Sequence, residues 1–269
     1  MSLTWTGLPA PPPARPGLAG WLRLAVRAPL VIGLLTLGLA VKSALRLPEA
    51  LVCGPRRPAT PWVTVAVCRM ALPLLGLRVR RTGAPMTGPG LAVANHASWL
   101  DIFVLNAVAP VVFVSKAEVA HWPGIGLLAR ATGTLFVRRE ARSQAADQAA
   151  AIARRIALGQ RPLLFPEGTS TDGRRVLRFR SALFAALGHP LVPPDAALQP
   201  ITLRWRPAHE GEAPLHAWWG DAAFGPHALA VLAAPGGQVE VVLHRPIPAR
   251  GQDRKTLAAA AERAVRSAL

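Results

Sequence analysis

Acidic side chains are almost missing from the first third of this chain. Glu49 is the one acid between residues 1 and 90, where ten arginines and one lysine leave a local charge of +10. Lysine is scarce throughout: three of the 31 basic residues are lysine, and against 14 acids the net charge is +17. With 51% hydrophobic and 17% charged residues in 269, the chain is neither disordered nor an ordinary, highly charged soluble domain. It is long enough for a full core. Two cysteines, Cys53 and Cys68, are too few for a disulfide framework and lack metal-ligand spacing, which fits a reducing compartment. Zinc-finger spacing, an RNA-binding signature and an aromatic platform among the basic residues are all absent, which argues against a nucleic-acid partner. Basic charge beside apolar sequence points to an anionic membrane surface instead.

The apolar sequence comes early. A Pro-rich leader, residues 1–20 with PAPPPARPG, precedes WLRLAVRAPLVIGLLTLGLAVKSALRL. Its uncharged core, Ala28 to Val41, is 14 residues. That is roughly 21 Å of helix against a hydrocarbon core of about 30 Å. Arg23, Arg27, Lys42 and Arg46 fall within an arc of about 140° at about 100° per residue. A helix lying in the membrane interface, or a re-entrant one, accounts for this better than a simple span. Pro29 is expected to kink or start the apolar segment. No A-x-A cleavage site follows it. With a second apolar segment, WVTVAVCRMALPLL (62–75), it is expected to form a membrane-associated helical hairpin over residues 21–76.

From residue 77 to 269 the pattern is that of an α/β domain, with a mixed, mostly parallel sheet flanked by helices. Strands are expected at LRVRR (77–81), LAVA (91–94), VVFVSK (111–116), TLFVRR (134–139), PLLF (162–165), LQPITLRW (198–205) and QVEVVLH (238–244). Helices are expected after NHA at 98–108, near GIGLLAR, from Ser143 as N-cap to Leu158, at FRSALFAAL (179–187) and from Asp253 onward.

Three polar stretches follow three of these strands: NHASWLD (95–101), RRE (138–140) and FPEGTS (165–170). In open α/β sheets ligands bind where the carboxyl ends of strands converge. If these strands are parallel, His96, Asp101, Arg138, Arg139 and Glu167 meet there. On a straight helix residues five apart point about 140° away from each other. His96 therefore reaches Asp101 only from the turn before the helix, which Asn95 or Ser98 would cap. Histidine titrates near neutrality and suits general-base work. A capping turn with an incidental histidine is the competing reading. G-x-S-x-G is absent, which argues against a lipase-like hydrolase and leaves Ser98 and Ser170 as weak nucleophile candidates.

The same residues carry a family resemblance. N-H-x-x-x-x-D (95–101), G-T-L-F-V-R-R (133–139), F-P-E-G-T-S (165–170) and the proline-containing strand LQPITL (198–203) resemble, in order and spacing, the four blocks of the glycerolipid acyltransferases typified by 1-acylglycerol-3-phosphate acyltransferase. Arg138 departs from the pattern, standing where the second block usually has an acid. VSKAEVAHWPGIGLLAR, FPEGTSTDGRRVLRFRSALF and WWGD look like the lyso-ornithine-lipid O-acyltransferase branch. The resemblance implies transfer of an acyl group from an acyl-carrier-protein or coenzyme A thioester to a lysolipid hydroxyl. The first acceptor it implies is 1-acyl-sn-glycerol-3-phosphate, with lyso-ornithine lipid as the alternative. It implies His96 as general base, Asp101 as its orienting partner, and backbone N–H groups near the helix start as oxyanion donors. Phe136, Arg139, Glu167, Gly168, Thr169 and Ser170 would form the substrate site, with no metal and no cofactor beyond the thioester co-substrate. It places the protein at the inner membrane, among membrane lipids, with the site on the cytoplasmic face. A non-catalytic membrane-binding protein is the alternative of another class, and predicts no effect of replacing His96.

Overall fold

The run GLAVA is buried on both faces, which is why it reads as unbroken apolar sequence. In the computed structural model, which describes residues 5, 7, 9–10, 15–137, 145–207 and 214–269, this run is the central strand of an eight-stranded sheet. The strands are β1 (Leu77–Thr82), β2 (Gly90–Ala94), β3 (Val112–Lys116), β4 (Leu135–Val137), β5 (Pro162–Leu164), β6 (Ala197–Trp205), β7 (Gly237–Leu243) and β8 (Ile247–Pro248). Their order is β1-β7-β6-β2-β5-β3-β4, with β8 beside β6. The five strands from β6 to β4 are mutually parallel. β7 and β8 run antiparallel to β6, and β1 runs parallel to β7. The sheet is thus mixed and mostly parallel, and the carboxyl ends of β2, β4, β5 and β6 share one edge.

Alternation along the strands makes three layers. Ala92 and Ala94 join Leu163 and Leu203 on one face, under α2 (Thr60–Leu74) and α3 (Asp101–Val108). Leu91 and Val93 join Leu164 and Leu198 on the other, under α5 (Ala145–Ala157), a 3-10 turn at Ala182–Gly188 and α7 (Arg254–Arg266). The stretch expected as a helix at 179–187 is therefore the shorter 3-10 form. Asp253 caps α7, its carboxylate accepting from the Lys255 and Thr256 N–H groups. The expected cap Ser143 lies outside the described residues. Three elements among the described residues were not foreseen: β8, α6 (Phe224–Ala233) and a 3-10 turn at Ala117–His121. A further short helix, α4 (Ile125–Thr132), fills the GIGLLAR stretch.

The N-terminal helix is longer than expected. α1 (Leu18–Cys53) has 36 residues, contains Pro29 and Pro48, and is long and apolar enough to cross a membrane. Its packed positions, among them Gly20, Leu24, Arg27, Val31, Gly38, Lys42 and Glu49, recur every three to four residues. A Cβ on Gly38 would meet the Val67 side chain, so the glycine lets α1 and α2 lie close. The basic arc lies on this packed side. Arg23 Nε donates to the Ala233 carbonyl at 2.8 Å, and Arg27 Nη1 donates to those of Leu232 and Ala234 at 3.2 and 2.7 Å. These are the carbonyls at the end of α6, where a cation is favoured. Lys42 is buried against Thr60 and Thr64 of α2, and Arg46 pairs with Glu49. The opposite face is apolar and bare: Leu22, Val26, Leu30, Leu37, Leu47 and Leu51 are all exposed.

Candidate active site

β2 ends on Ala94, and the next residue extends its pairing by one rung. Asn95 Nδ2 donates to the Leu203 carbonyl at 2.9 Å, and its Oδ1 accepts from the Leu203 N–H at 2.8 Å. Asn95 is thus a link to β6. Ser98 does not cap α3 either: Leu100 stands at the N-cap position without a side-chain cap bond, and Ser98 Oγ accepts from the Leu100 N–H at 3.2 Å within the turn before the helix. Ser98 is fully buried, which removes it as a nucleophile.

His96 stands on the turn between β2 and α3. Its Nδ1 lies 2.8 Å from Asp101 Oδ2, and a neutral ring that donates from Nδ1 keeps Nε2 as its acceptor nitrogen. Asp101 is wholly buried and accepts three further hydrogen bonds. The Ala97 and Ser98 N–H groups reach Oδ2 at 2.8 and 2.9 Å, and Trp205 Nε1 donates to Oδ1 at 2.8 Å. The imidazole stacks on Phe165, with ring centroids 4.0 Å apart. Trp205 is stacked in turn on His216, whose pKa burial lowers to about 4, so that this ring is neutral.

These bonds narrow the expectation of oxyanion donors near the helix start, since they occupy four of its N–H groups. The N–H groups of His96, Ala97, Ser98 and Leu100 are engaged by Glu167, Asp101 and Ser98. They hold the His–Asp geometry and do not face a substrate as oxyanion donors.

The FPEGTS turn leaves β5 at the same edge. Glu167 is buried, and its two oxygens accept from the His96 and Leu177 N–H groups at 2.8 and 2.7 Å. Burial raises its pKa to about 8 against the pull of those two N–H groups. Gly168 turns the chain at a φ of 83°, which favours glycine, and its N–H closes the turn on the Phe165 carbonyl. The Thr171 N–H donates to the His96 carbonyl at 2.9 Å, tying the two loops together. Thr169 and Glu167 border a cavity of about 560 Å³ with the exposed Arg178 and Arg180. Ser170 is buried beside them. Phe136 is half-buried in β4, in register with Ser115 of β3. Arg138 and Arg139 lie outside the described residues.

Four residues at this edge escaped the sequence reading: Phe165, Trp205, Arg178 and Arg180. The first two were visible as ends of predicted strands, and the arginines as the basic run after FPEGTS. Among the described residues no group of three His, Cys, Asp or Glu side chains gathers to hold a metal ion.

The acyltransferase family model matches residues 76–203. A lyso-ornithine lipid O-acyltransferase of Rhodobacter capsulatus is 47% identical over 98% of this chain and 96% of its own length. A 1-acyl-sn-glycerol-3-phosphate acyltransferase of Neisseria gonorrhoeae is 36% identical over 41% of this chain and 43% of its own. The crystal structure of the 1-acyl-sn-glycerophosphate acyltransferase PlsC from Thermotoga maritima matches with a TM-score of 0.58. It shares 17% identity and covers 93% of this chain and 97% of that one.

Proposed function

The chain belongs to the acyltransferase family, among O-acyltransferases of lysolipids, and on that premise we propose that His96 is the general base of the transfer. The observation that carries this is the 2.8 Å bond from His96 Nδ1 to the buried Asp101. The lysolipid hydroxyl gives its proton to His96 Nε2 as its oxygen bonds to the thioester carbonyl carbon. Asp101 fixes the tautomer and stabilises the imidazolium, as in triad logic without a serine. Collapse of the tetrahedral adduct breaks the C–S bond, and the leaving thiolate takes the proton from the imidazolium. The products are an acylated lipid and a free thiol.

Glu167 supports the His96 loop from below, and Gly168, Thr169 and Ser170 shape the adjoining cleft, with Phe136 toward its far side. Arg139 pairs with the acceptor's anionic group. Arg178 and Arg180 add cations suited to the phosphate of the phosphopantetheine arm, which acyl-carrier protein and coenzyme A share. The acceptor we propose is lyso-ornithine lipid, supported by a relative of that name matched over nearly the full length. The 1-acylglycerol-3-phosphate reading is supported by a relative matched over 41% of the chain. In this reading the bare face of α1 lies on the bilayer, and a cytoplasmic thioester donor supports a site on the inner face of the inner membrane.

The test supplies a labelled acyl thioester with each lysolipid to membranes carrying the protein, and identifies products by mass. Acylated ornithine lipid is expected as the main product, and a preference for lysophosphatidate would overturn the acceptor. His96→Ala should lower turnover roughly 10²–10⁴-fold with either one. A variant of unchanged rate would favour a binding protein.

A further inference from the structure

The chemistry occupies the carboxyl edge of the sheet, and a second cavity lies at the amino edge. It encloses about 450 Å³ between the α1–α2 turn and the first residues of β3 and β5. That is within the range of about 300–1,000 Å³ found for small-molecule sites. Val112 pairs with Pro162 at this edge, level with Leu91 of β2, and His96 is five residues further along. At about 3.3 Å per residue the two places are roughly 16 Å apart.

Four cations line the cavity: Lys42, Arg56, Arg57 and Arg161. Among the described lining residues none is an acid. Glu49, on the adjoining turn of α1, is already engaged by the Ala59 and Thr60 N–H groups at 2.7 and 3.0 Å and by Arg46. Arg57 Nε and Arg161 Nε are buried without a hydrogen-bond partner. Burial, with the charges of Arg46 and Arg155, disfavours the Arg57 cation, and burial does the same to Arg161. A partly desolvated cluster of one sign, with two buried donors unused, is unfavourable unless an anion completes it. Arginine favours phosphate, which accepts its paired N–H groups.

We propose that this cavity is a phosphate site, separate from the acyl-transfer site, and that an anionic phospholipid headgroup fills it. Its position favours the lipid over a soluble phosphate. Trp62 on its wall is 55% exposed, and Leu47, Leu51 and Val52 at the carboxyl end of α1 are 72, 87 and 84% exposed. A headgroup entering past Trp62 leaves its chains on that apolar surface. The site would therefore report the anionic lipid content of the membrane.

The test uses the full-length protein in a non-ionic detergent, titrated with dihexanoyl phosphatidylglycerol, inorganic phosphate or adenosine 3′,5′-bisphosphate. Binding is read by calorimetry and by the unfolding midpoint. Phosphatidylglycerol should bind and raise the midpoint, and Arg57→Gln should weaken binding about tenfold or more, as for a lost charged hydrogen bond. The ligand-free midpoint of Arg57→Gln should not fall, since the change relieves repulsion. Arg56→Gln, at an exposed position, should weaken binding in the same direction. His96→Ala should leave it unchanged. If the soluble phosphates alone bind, and Arg57→Gln abolishes it, the phosphate site stands and the lipid is overturned as its occupant. If none of the three binds the wild type, or if Arg57→Gln lowers the ligand-free midpoint and leaves binding intact, the cluster is structural and the proposal fails.

Discussion

Asp101 accepts four hydrogen bonds, three at Oδ2 and one at Oδ1, and every donor points at it. An amide there has one accepting end. Asp101→Asn must turn its NH₂ group either toward Trp205 Nε1 or toward the Ala97, Ser98 and His96 donors. Each choice sets donor against donor in a buried place, which costs about 1–3 kcal/mol for each group left unpaired. The imidazole also loses the acceptor that fixes its tautomer. Turnover of Asp101→Asn is therefore expected to fall at least about a hundredfold, and the unfolding midpoint should drop with it. Rate and calorimetry on the purified variant check both. Glu167 makes a different prediction, in pH. Its folded pKa is about 8 against an ordinary 4.5, so the folded state holds a proton that the unfolded chain gives up. The stability this proton contributes is fully present below about 4.5 and is lost as pH rises through 8. Glu167→Gln cannot titrate. The wild-type-minus-variant difference in unfolding free energy should thus shrink as pH goes from 5 to 8, and a flat difference would place the Glu167 carboxyl at its ordinary pKa.

At the scale of elements, α1 meets α6 both by packing and by cations meeting carbonyls. Arg27 makes two such bonds to the end of α6. Arg27→Ala should free the amino-terminal half of α1, seen as faster amide exchange over residues 18–30 with the exchange of β2 unchanged. Equal protection in both proteins would mean that the apolar contacts of Leu24 and Val31 suffice. This attachment also marks what the sequence could show. The mostly parallel character of the sheet was legible because buried strands read as apolar runs ending on polar turns. The His96–Asp101 approach was legible from spacing, since a turn must precede the helix. The inward direction of the basic arc was not. The acceptors of Arg23 and Arg27 lie at the end of α6, whose FGPHALAVLA was hidden by a Gly-Pro pair that reads as a turn, and those of Lys42 on α2. The 3-10 turn at 182–188 was missed for a related reason, because ALFAALG satisfies helical spacing and tertiary packing decides its pitch. Trp205 could be placed at a strand end, but its bond to a residue 104 positions away needs the fold.

For the whole molecule, the inward basic arc changes how the protein should hold a membrane. Arg23, Arg27, Lys42 and Arg46 meet the protein's own carbonyls, hydroxyls and Glu49, so few of these charges remain for lipid headgroups. Attachment then rests on the bare side chains of α1. Leu30 and Leu37 are 50% and 63% exposed, and Leu22, Val26, Leu47 and Leu51 share that condition along the helix. Fully burying a leucine or valine is worth about 1.5–3 kcal/mol, so even shallow immersion of six supplies several kcal/mol. Salt does not screen this term. The helix is pinned at Arg23 and Arg27 near one end and at Lys42 and Arg46 near the other, which suits lying along the interface with the domain beside it. We therefore expect 1 M NaCl to leave the protein on membranes, and Leu22→Asp, Leu30→Asp and Leu37→Asp combined to release it. Because these three side chains point away from the His96 edge, activity of the triple variant on detergent-dispersed lysolipid should stay within about threefold, while activity on bilayer-borne lysolipid falls far more. Sedimentation and the two assays decide it. Release by salt alone would return the attachment to the basic residues, and a triple variant that stays bound would move it to Trp62 and Met70 of α2, both exposed.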